Sequence, residues 1–201
     1  PYKAPVLDAF GTVLFADIVS FTVFSGKMDA IKLVQILDDM FDMHDKMAND
    51  LKVDKVKTLG DCYVACTGVL SLKAAHAATM VKFGLGLHYN MKLLNIKQDL
   101  AGKGLDGKAP DSDLRIRVCI ASGPAVGGVV GGKKYIFDLW GDVVEQAELM
   151  ESGGIPERTQ VSHSTWLRSS KDPTLKFRCR PPAEQKVLQE EGAHGPGKLI
   201  L

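Results

Sequence analysis

Two aspartates sit where a lone carboxylate would be costly. Asp17 lies in Phe15-Ala16-Asp17-Ile18-Val19-Ser20-Phe21-Thr22, and Asp61 in Lys57-Thr58-Leu59-Gly60-Asp61-Cys62-Tyr63. Each ends or interrupts an apolar, strand-like run, so each must be paired, hydrogen-bonded or bound to a metal. Together they point to a two-metal phosphoryl-transfer site.

The elements that must position them follow from patterning. Gly11 to Phe15 alternates into a short β-run that stops at Asp17, and Asp29 is placed to cap a long helix. Ile31, Val34, Leu37, Phe41, His44, Ala48 and Leu51 recur at three- and four-residue steps, which predicts one core face. Lys55 to Thr67 reads as two short strands turning at Leu59-Gly60-Asp61, so that Asp61 faces a site shared with Asp17. A second long helix is expected from about residue 72 to 94, followed by an exposed loop over about 99–113 rich in Gly, Asp and Lys. Leu114 to Ile120 alternates as a strand, and the Gly-rich stretch Gly123 to Gly132 reads as a hairpin.

Trp140 to Ser152 carries a third helical segment that ends at Gly153-Gly154. Val161 and Leu175 to Cys179 are expected as later strands, with Glu190 to Gly197 a flexible connection to Leu199-Ile200-Leu201. No internal repeat of fixed period is present. The order strand, helix, two strands, helix, strand predicts an α+β fold: a ferredoxin-like βαββαβ core with a C-terminal βαβ-type extension.

Length and composition narrow the classes further. The 201 residues suit a single domain, 1–201, with its core over about 11–180. Lys and Arg number 25 against 24 Asp and Glu, a formal net charge of +1, which excludes the broad positive field of a general nucleic-acid binder. Cys62, Cys66, Cys119 and Cys179 lack zinc-site spacing and are expected as reduced core residues in a cytosolic compartment. No apolar stretch approaches the roughly 20 residues of a membrane helix. The expectation is a soluble cytoplasmic domain, compatible with an origin in a larger membrane-bound or multidomain protein.

His44 on the first helix's apolar face is expected to be a core or interface histidine, not a ligand. His163 beside Ser164 has no third partner for a hydrolase triad. The Gly127 to Lys134 stretch lacks P-loop order, which leaves Lys133 and Lys134 in a solvated turn.

Four segments, FADIVSFT (15–22), VKTLGDCYVACTG (56–68), LRIRVCIASGPAVGGVVG (114–131) and FDLWGDVVEQAELMESGGIP (137–156), resemble the successive motifs of class III nucleotidyl cyclase catalytic domains, in that family's order and approximate spacing. The resemblance covers most of residues 11 to 165. It implies attack of a ribose 3′ hydroxyl on the α-phosphate of a nucleoside triphosphate, giving a 3′,5′-cyclic monophosphate and pyrophosphate, with two Mg²⁺ ions that Mn²⁺ can replace. On this resemblance Asp17 and Asp61 match the metal carboxylates and Ile18 the backbone-carbonyl ligand. Val19, Ser20, Phe21 and Thr22, with Leu59 and Gly60, match the phosphate-binding positions. Lys57 and Asp138, flanked by Leu139 and Trp140, match the base-binding positions. A Lys donor and an Asp acceptor complement the adenine edge, which favours ATP over GTP.

The departures from the family pattern matter as much. The helix after Trp140 should carry an Asn that orients the ribose and, one turn later, an Arg that stabilises the pentavalent phosphate. Those positions hold Glu145 and Leu149, so one transition-state clamp is absent. Metal carboxylates without that pair resemble the metal-bearing half of a pseudoheterodimeric cyclase, whose complementary domain supplies the missing groups. In such a heterodimer Lys57 and Asp138 would line a second, pseudosymmetric cleft, and substrate choice would pass to the partner. Pro124 stands where that half often has a phosphate-contacting Arg, and Lys198 lies near the family's phosphate-binding Lys in a loosely matched tail. The alternatives are a homodimer with weak activity of its own, a guanylyl cyclase half, and a non-catalytic dimerisation or regulatory module.

Overall fold

The computed structural model describes residues 6–98, 113–180 and 199–200. Its elements in chain order are β1 (Leu7–Ile18), α1 (Phe21–Ser25), α2 (Ala30–Leu51), β2 (Asp54–Leu59), β3 (Cys62–Thr67), α3 (His76–Lys97), β4 (Ile116–Val130), β5 (Ile136–Trp140), α4 (Asp142–Ser152), β6 (Thr159–Val161), α5 (His163–Ser169), β7 (Arg178–Cys179) and β8 (Leu199–Ile200). The strands form one sheet in the order β2-β3-β1-β4-β6-β8-β7, with β5 pairing β4 as a hairpin arm. The antiparallel run β2-β3-β1-β4 with α2 and α3 is the expected ferredoxin-like core. The parallel step from β4 through α4 to β6 is the expected βαβ-type addition.

Period-2 alternation along β1 divides the core in two. Leu14, Ala16 and Ile18 face α2 and α3, packing with Ile36, Met40, Met80, Phe83 and Leu87. Val13 and Phe15 face the other way, with Cys62, Val64, Cys66 and the α4 residues Val143, Ala147 and Met150. Asp17 is the next residue in this second row. It therefore emerges on the α4 side of the sheet, at the end of an otherwise apolar stripe.

Several boundaries differ from expectation. β1 starts at Leu7 and does not stop at Asp17, because β4 pairs it without a break from Leu7↔Gly127 to Ile18↔Ile116. The same long pairing keeps β4 extended through Gly123 to Val130, so the hairpin turn comes after Val130 instead of within the glycine-rich run. Asp29 caps α2 as predicted, its side chain accepting from the Ile31 and Lys32 amides. The buried row of α2, however, is Ile36, Met40, His44 and Ala48, while Ile31 and Val34 are 71% and 64% exposed. An amphipathic helix offers adjacent apolar rows, and the packing partner selects between them.

α3 begins at His76, a turn later than predicted. Only Arg178–Cys179 of the segment 175–179 is a strand. Of the predicted loop over 99–113, residues 99–112 lie outside the described residues, as do the connection 190–197, Lys198 and Leu201. Cys62, Cys66 and Cys119 are buried thiols, and burial pushes the first two up to about 12. Cys179 is exposed and is not a core residue. His44 is a core histidine, pulled down to about 4 by burial and stacked edge-on against Tyr63. Among the described residues no helix is long and apolar enough to cross a membrane.

Candidate active site

Asp61 reaches the site because Gly60, at φ +62°, makes the left-handed turn between β2 and β3 that a side chain would strain. Its Oδ2 accepts the Ile18 N–H at 3.2 Å, which ties the turn to the end of β1. Burial and then the charge of Asp17 raise its carboxyl to about 6, against the smaller lowering effect of the Asp61 and Ile18 amides. The two carboxylates are thus close enough to repel. A dication between them would relieve that repulsion, and the donors on offer are oxygens, which suits Mg²⁺. Among the described residues no group of three or more His, Cys, Asp or Glu side chains is arranged to hold a metal. A pair of carboxylates is nonetheless compatible with Mg²⁺, which keeps waters and substrate phosphates as its other ligands.

Two residues here had no assigned role in the sequence. Asp17 pairs in register with Arg117 of β4, and its Oδ2 accepts from Arg117 Nε at 3.2 Å and Nη2 at 2.8 Å. Glu151, near the end of α4, puts Oε1 2.6 Å from Arg117 Nε as an ion pair without an aligned hydrogen bond. Burial raises Glu151 to about 7; Arg117 opposes the shift, and the nearby Asp17 adds to it. The signal for this cluster lay in the strand alternation. Once Val13 and Phe15 define the α4-facing row of β1, Arg117 is the residue opposite Asp17 on the same face.

The remaining predicted residues fall into three places. Val19 follows β1 with its N–H on the Arg115 carbonyl at 2.8 Å, and Ser20 takes the left-handed conformation, φ 58°, that opens the short helix α1. Phe21 and Thr22 form the first turn of that helix, where amides lack intrahelical acceptors. Leu59 is exposed at the β2–β3 turn beside Gly60.

Lys57 on β2 and Asp138 on β5 meet at 2.6 Å, although their strands are not neighbours in the sheet. Asp138 Oδ1 also accepts the Leu139 N–H at 2.8 Å. The Leu139 side chain itself is buried in the α4-side core, so only its backbone touches this pair, while Trp140 is exposed. Glu145 and Leu149 lie on the exposed side of α4, opposite the buried Val143, Ala147 and Met150.

Comparison with known proteins identifies the family and the fold. The family model described as the adenylate and guanylate cyclase catalytic domain matches residues 9–198. The receptor-type guanylate cyclase gcy-28 of Caenorhabditis elegans is 31% identical over 175 residues, 87% of this chain and 13% of that protein. Adenylate cyclase type 9 of Gallus gallus is 32% identical over 165 residues, 82% of this chain and 11% of that protein. The chain therefore spans only about an eighth of the length of these relatives. Among solved structures, the catalytic core of a rhodopsin-guanylyl cyclase with converted specificity, in complex with ATPαS, superposes with a TM-score of 0.77 at 26% identity, covering 100% of this chain and 97% of that one. The chain belongs to the adenylate and guanylate cyclase catalytic domain family.

Proposed function

We propose that this domain cyclises a nucleoside triphosphate, with ATP favoured over GTP, as the metal-bearing half of an assembly that a complementary cyclase domain completes. The convergence of Asp17 and Asp61 carries this proposal: two mutually repelling carboxylates on a strand end and a tight turn are arranged for dications. Asp17, Asp61 and the Ile18 carbonyl would hold two Mg²⁺, or Mn²⁺ in their place, and the metals would supply Lewis-acid activation of the 3′ hydroxyl and neutralisation of phosphate charge. The Phe21 and Thr22 amides, with Val19, Ser20, Leu59 and Gly60 around them, are assigned to the terminal phosphates. Lys57 and Asp138 are assigned to the purine edge, and their donor–acceptor pattern favours adenine.

Division of labour between two domains is supported by α4. Its exposed side carries Glu145 and Leu149 in place of an amide and a guanidinium, so the clamp on the developing phosphate charge must come from another chain. Guanylate cyclases among the relatives favour a second reading, in which the partner sets GTP specificity. The length of the relatives supports placing this domain in a larger protein.

The test assays the purified domain with ATP or GTP and Mg²⁺ or Mn²⁺, alone and mixed with cyclase domains that carry the Asn/Arg pair but lack the aspartates. Activity confined to the mixture, with ATP preferred, is the expected result. Strong activity of the chain alone overturns the incomplete-half assignment, and inactivity in every mixture favours a non-catalytic module.

A further inference from the structure

The N-terminal ends of the parallel strands β4 and β6 and the C-terminal half of α3 enclose a cavity of about 470 Å³. Its volume is that of a small-molecule site. None of the side chains lining it is assigned above to metal, phosphate or base. Its walls are hydrogen-bonded to one another. The Asn95 side-chain amide of α3 exchanges two bonds of 3.0 Å with the Leu114 backbone, and the Glu157 N–H donates to the Ile116 carbonyl at 2.8 Å. The cavity is therefore built without a ligand to shape it.

Three cations line it: Lys92 from α3, Arg115 ahead of β4 and Arg158 ahead of β6. Among the described residues none of these three side chains has an ion-pair or hydrogen-bond partner. Like charges gathered in one concavity repel, and an anion seated between them removes that cost. Their field reaches His88, whose Nε2 lies 3.1 Å from Thr159 Oγ1. Burial pulls this imidazole down to about 4, and Lys92 and Arg158 add to the effect. Two carboxylates share the lining, Asp113 and Glu157, yet neither pairs with the cations, and Asp113 Oδ1 has no hydrogen-bond partner.

We propose that this cavity binds a phosphate monoester of a hydroxylated carbon skeleton, with the phosphate on Lys92, Arg115 and Arg158 and the hydroxyls on Asp113 and Glu157. A phosphate monoester carries about two negative charges at neutral pH. Guanidinium forks match its oxygens bidentately, and Lys92 adds a third charge. A monocarboxylate would leave part of that positive charge unanswered. The two wall carboxylates oppose a ligand that is anionic along its whole length, such as a nucleoside triphosphate. They favour one whose remainder donates hydrogen bonds.

Ribose 5-phosphate is the probe, titrated calorimetrically into the purified chain in metal-free buffer, with inorganic phosphate, ribose and ATP alongside. The ester should bind with a Kd of about 1 mM or tighter. Inorganic phosphate and ATP should bind more weakly, and ribose not at all. Lys92→Gln and Arg158→Gln should each weaken ester binding about tenfold, the usual loss with a charge-assisted hydrogen bond. Asp113→Ala should bind inorganic phosphate no worse than the wild type while losing most of the ester's advantage. Asp17→Asn should leave ester binding unchanged.

No binding of ribose 5-phosphate at about 10 mM overturns the proposal. So does inorganic phosphate or ATP binding as tightly as the ester. Full retention of binding in Lys92→Gln overturns it even if Arg158→Gln fails to fold, since Lys92 is exposed on α3. Loss of binding in a folded Asp17→Asn places the probe at the candidate active site and overturns it as well.

Discussion

Lys57 Nζ donates to Asp138 Oδ2 at 2.6 Å, so the two candidate base-reading residues are already paired with each other across strands that are not neighbours in the sheet. A purine entering this cleft has to replace that ion pair with its own donors and acceptors. Because both side chains are part-exposed, the exchange costs little.

Lys57→Glu combined with Asp138→Cys reverses the donor and acceptor pattern. Initial rates with ATP and GTP should shift towards GTP in any assembly where this chain's own pair reads the base. An unchanged preference, together with a shift when the same exchange is made in the partner, would assign base reading to the partner and remove the case for ATP made from these residues.

Asp17→Ala and Asp61→Ala should each abolish cyclase activity of any active assembly containing this chain at ordinary Mg²⁺, with partial recovery at high Mn²⁺. Burial and the charge of Asp17 raise the Asp61 carboxyl to about 6. The proton is therefore held below that value and released above it, so Mg²⁺ affinity should rise as pH increases through about 6. Calorimetric titration at several pH values checks this. Retained turnover in either alanine variant would sink the site assignment.

Glu145→Asn with Leu149→Arg should raise cyclase activity of the self-associated chain by about tenfold or more, since an oriented guanidinium on developing phosphate charge is often worth several kcal/mol. The two positions are one helical turn apart on the exposed side of α4, so both new side chains face the same way. Strong wild-type activity without a partner, or loss of activity in a folded, dimeric double variant, would mean that another group already fills the role.

His88 should make the fold acid-sensitive. Burial, with Lys92 and Arg158 nearby, holds its imidazole at about 4 against an ordinary 6.5, so the unfolded chain binds a proton that the folded chain refuses. Its contribution to stability is complete above about 6.5 and is lost as pH falls through about 4. Urea denaturation of His88→Gln should show a smaller loss of stability between pH 7 and pH 5 than the wild type. An identical loss in the two proteins would remove His88 as the cause, leaving His44, which titrates at about 4 for the same reason.

Local chemistry made much of this protein legible from its residues alone. Asp29 announced the α2 N-terminus because a cap needs only its own side chain and the next few amides. Gly60 announced the β2–β3 turn because its left-handed φ belongs to the residue itself. The order of such elements was enough to give the ferredoxin-like core.

What tertiary structure alone decided is which equivalent choice each element makes. α2 buries Ile36 and Met40 and leaves Ile31 and Val34 in solvent, a choice between adjacent apolar rows that only α3 and the sheet could settle. β4 continues through its glycines to Val130 because β1 lies alongside to pair with it. Arg117 and Glu151 are separated from Asp17 by 100 and 134 residues of chain, and no local pattern joins them. They meet because the β1–β4 register and the seat of α4 bring one face of the sheet against one side of a helix, and register is a property of strands in contact, not of either strand by itself.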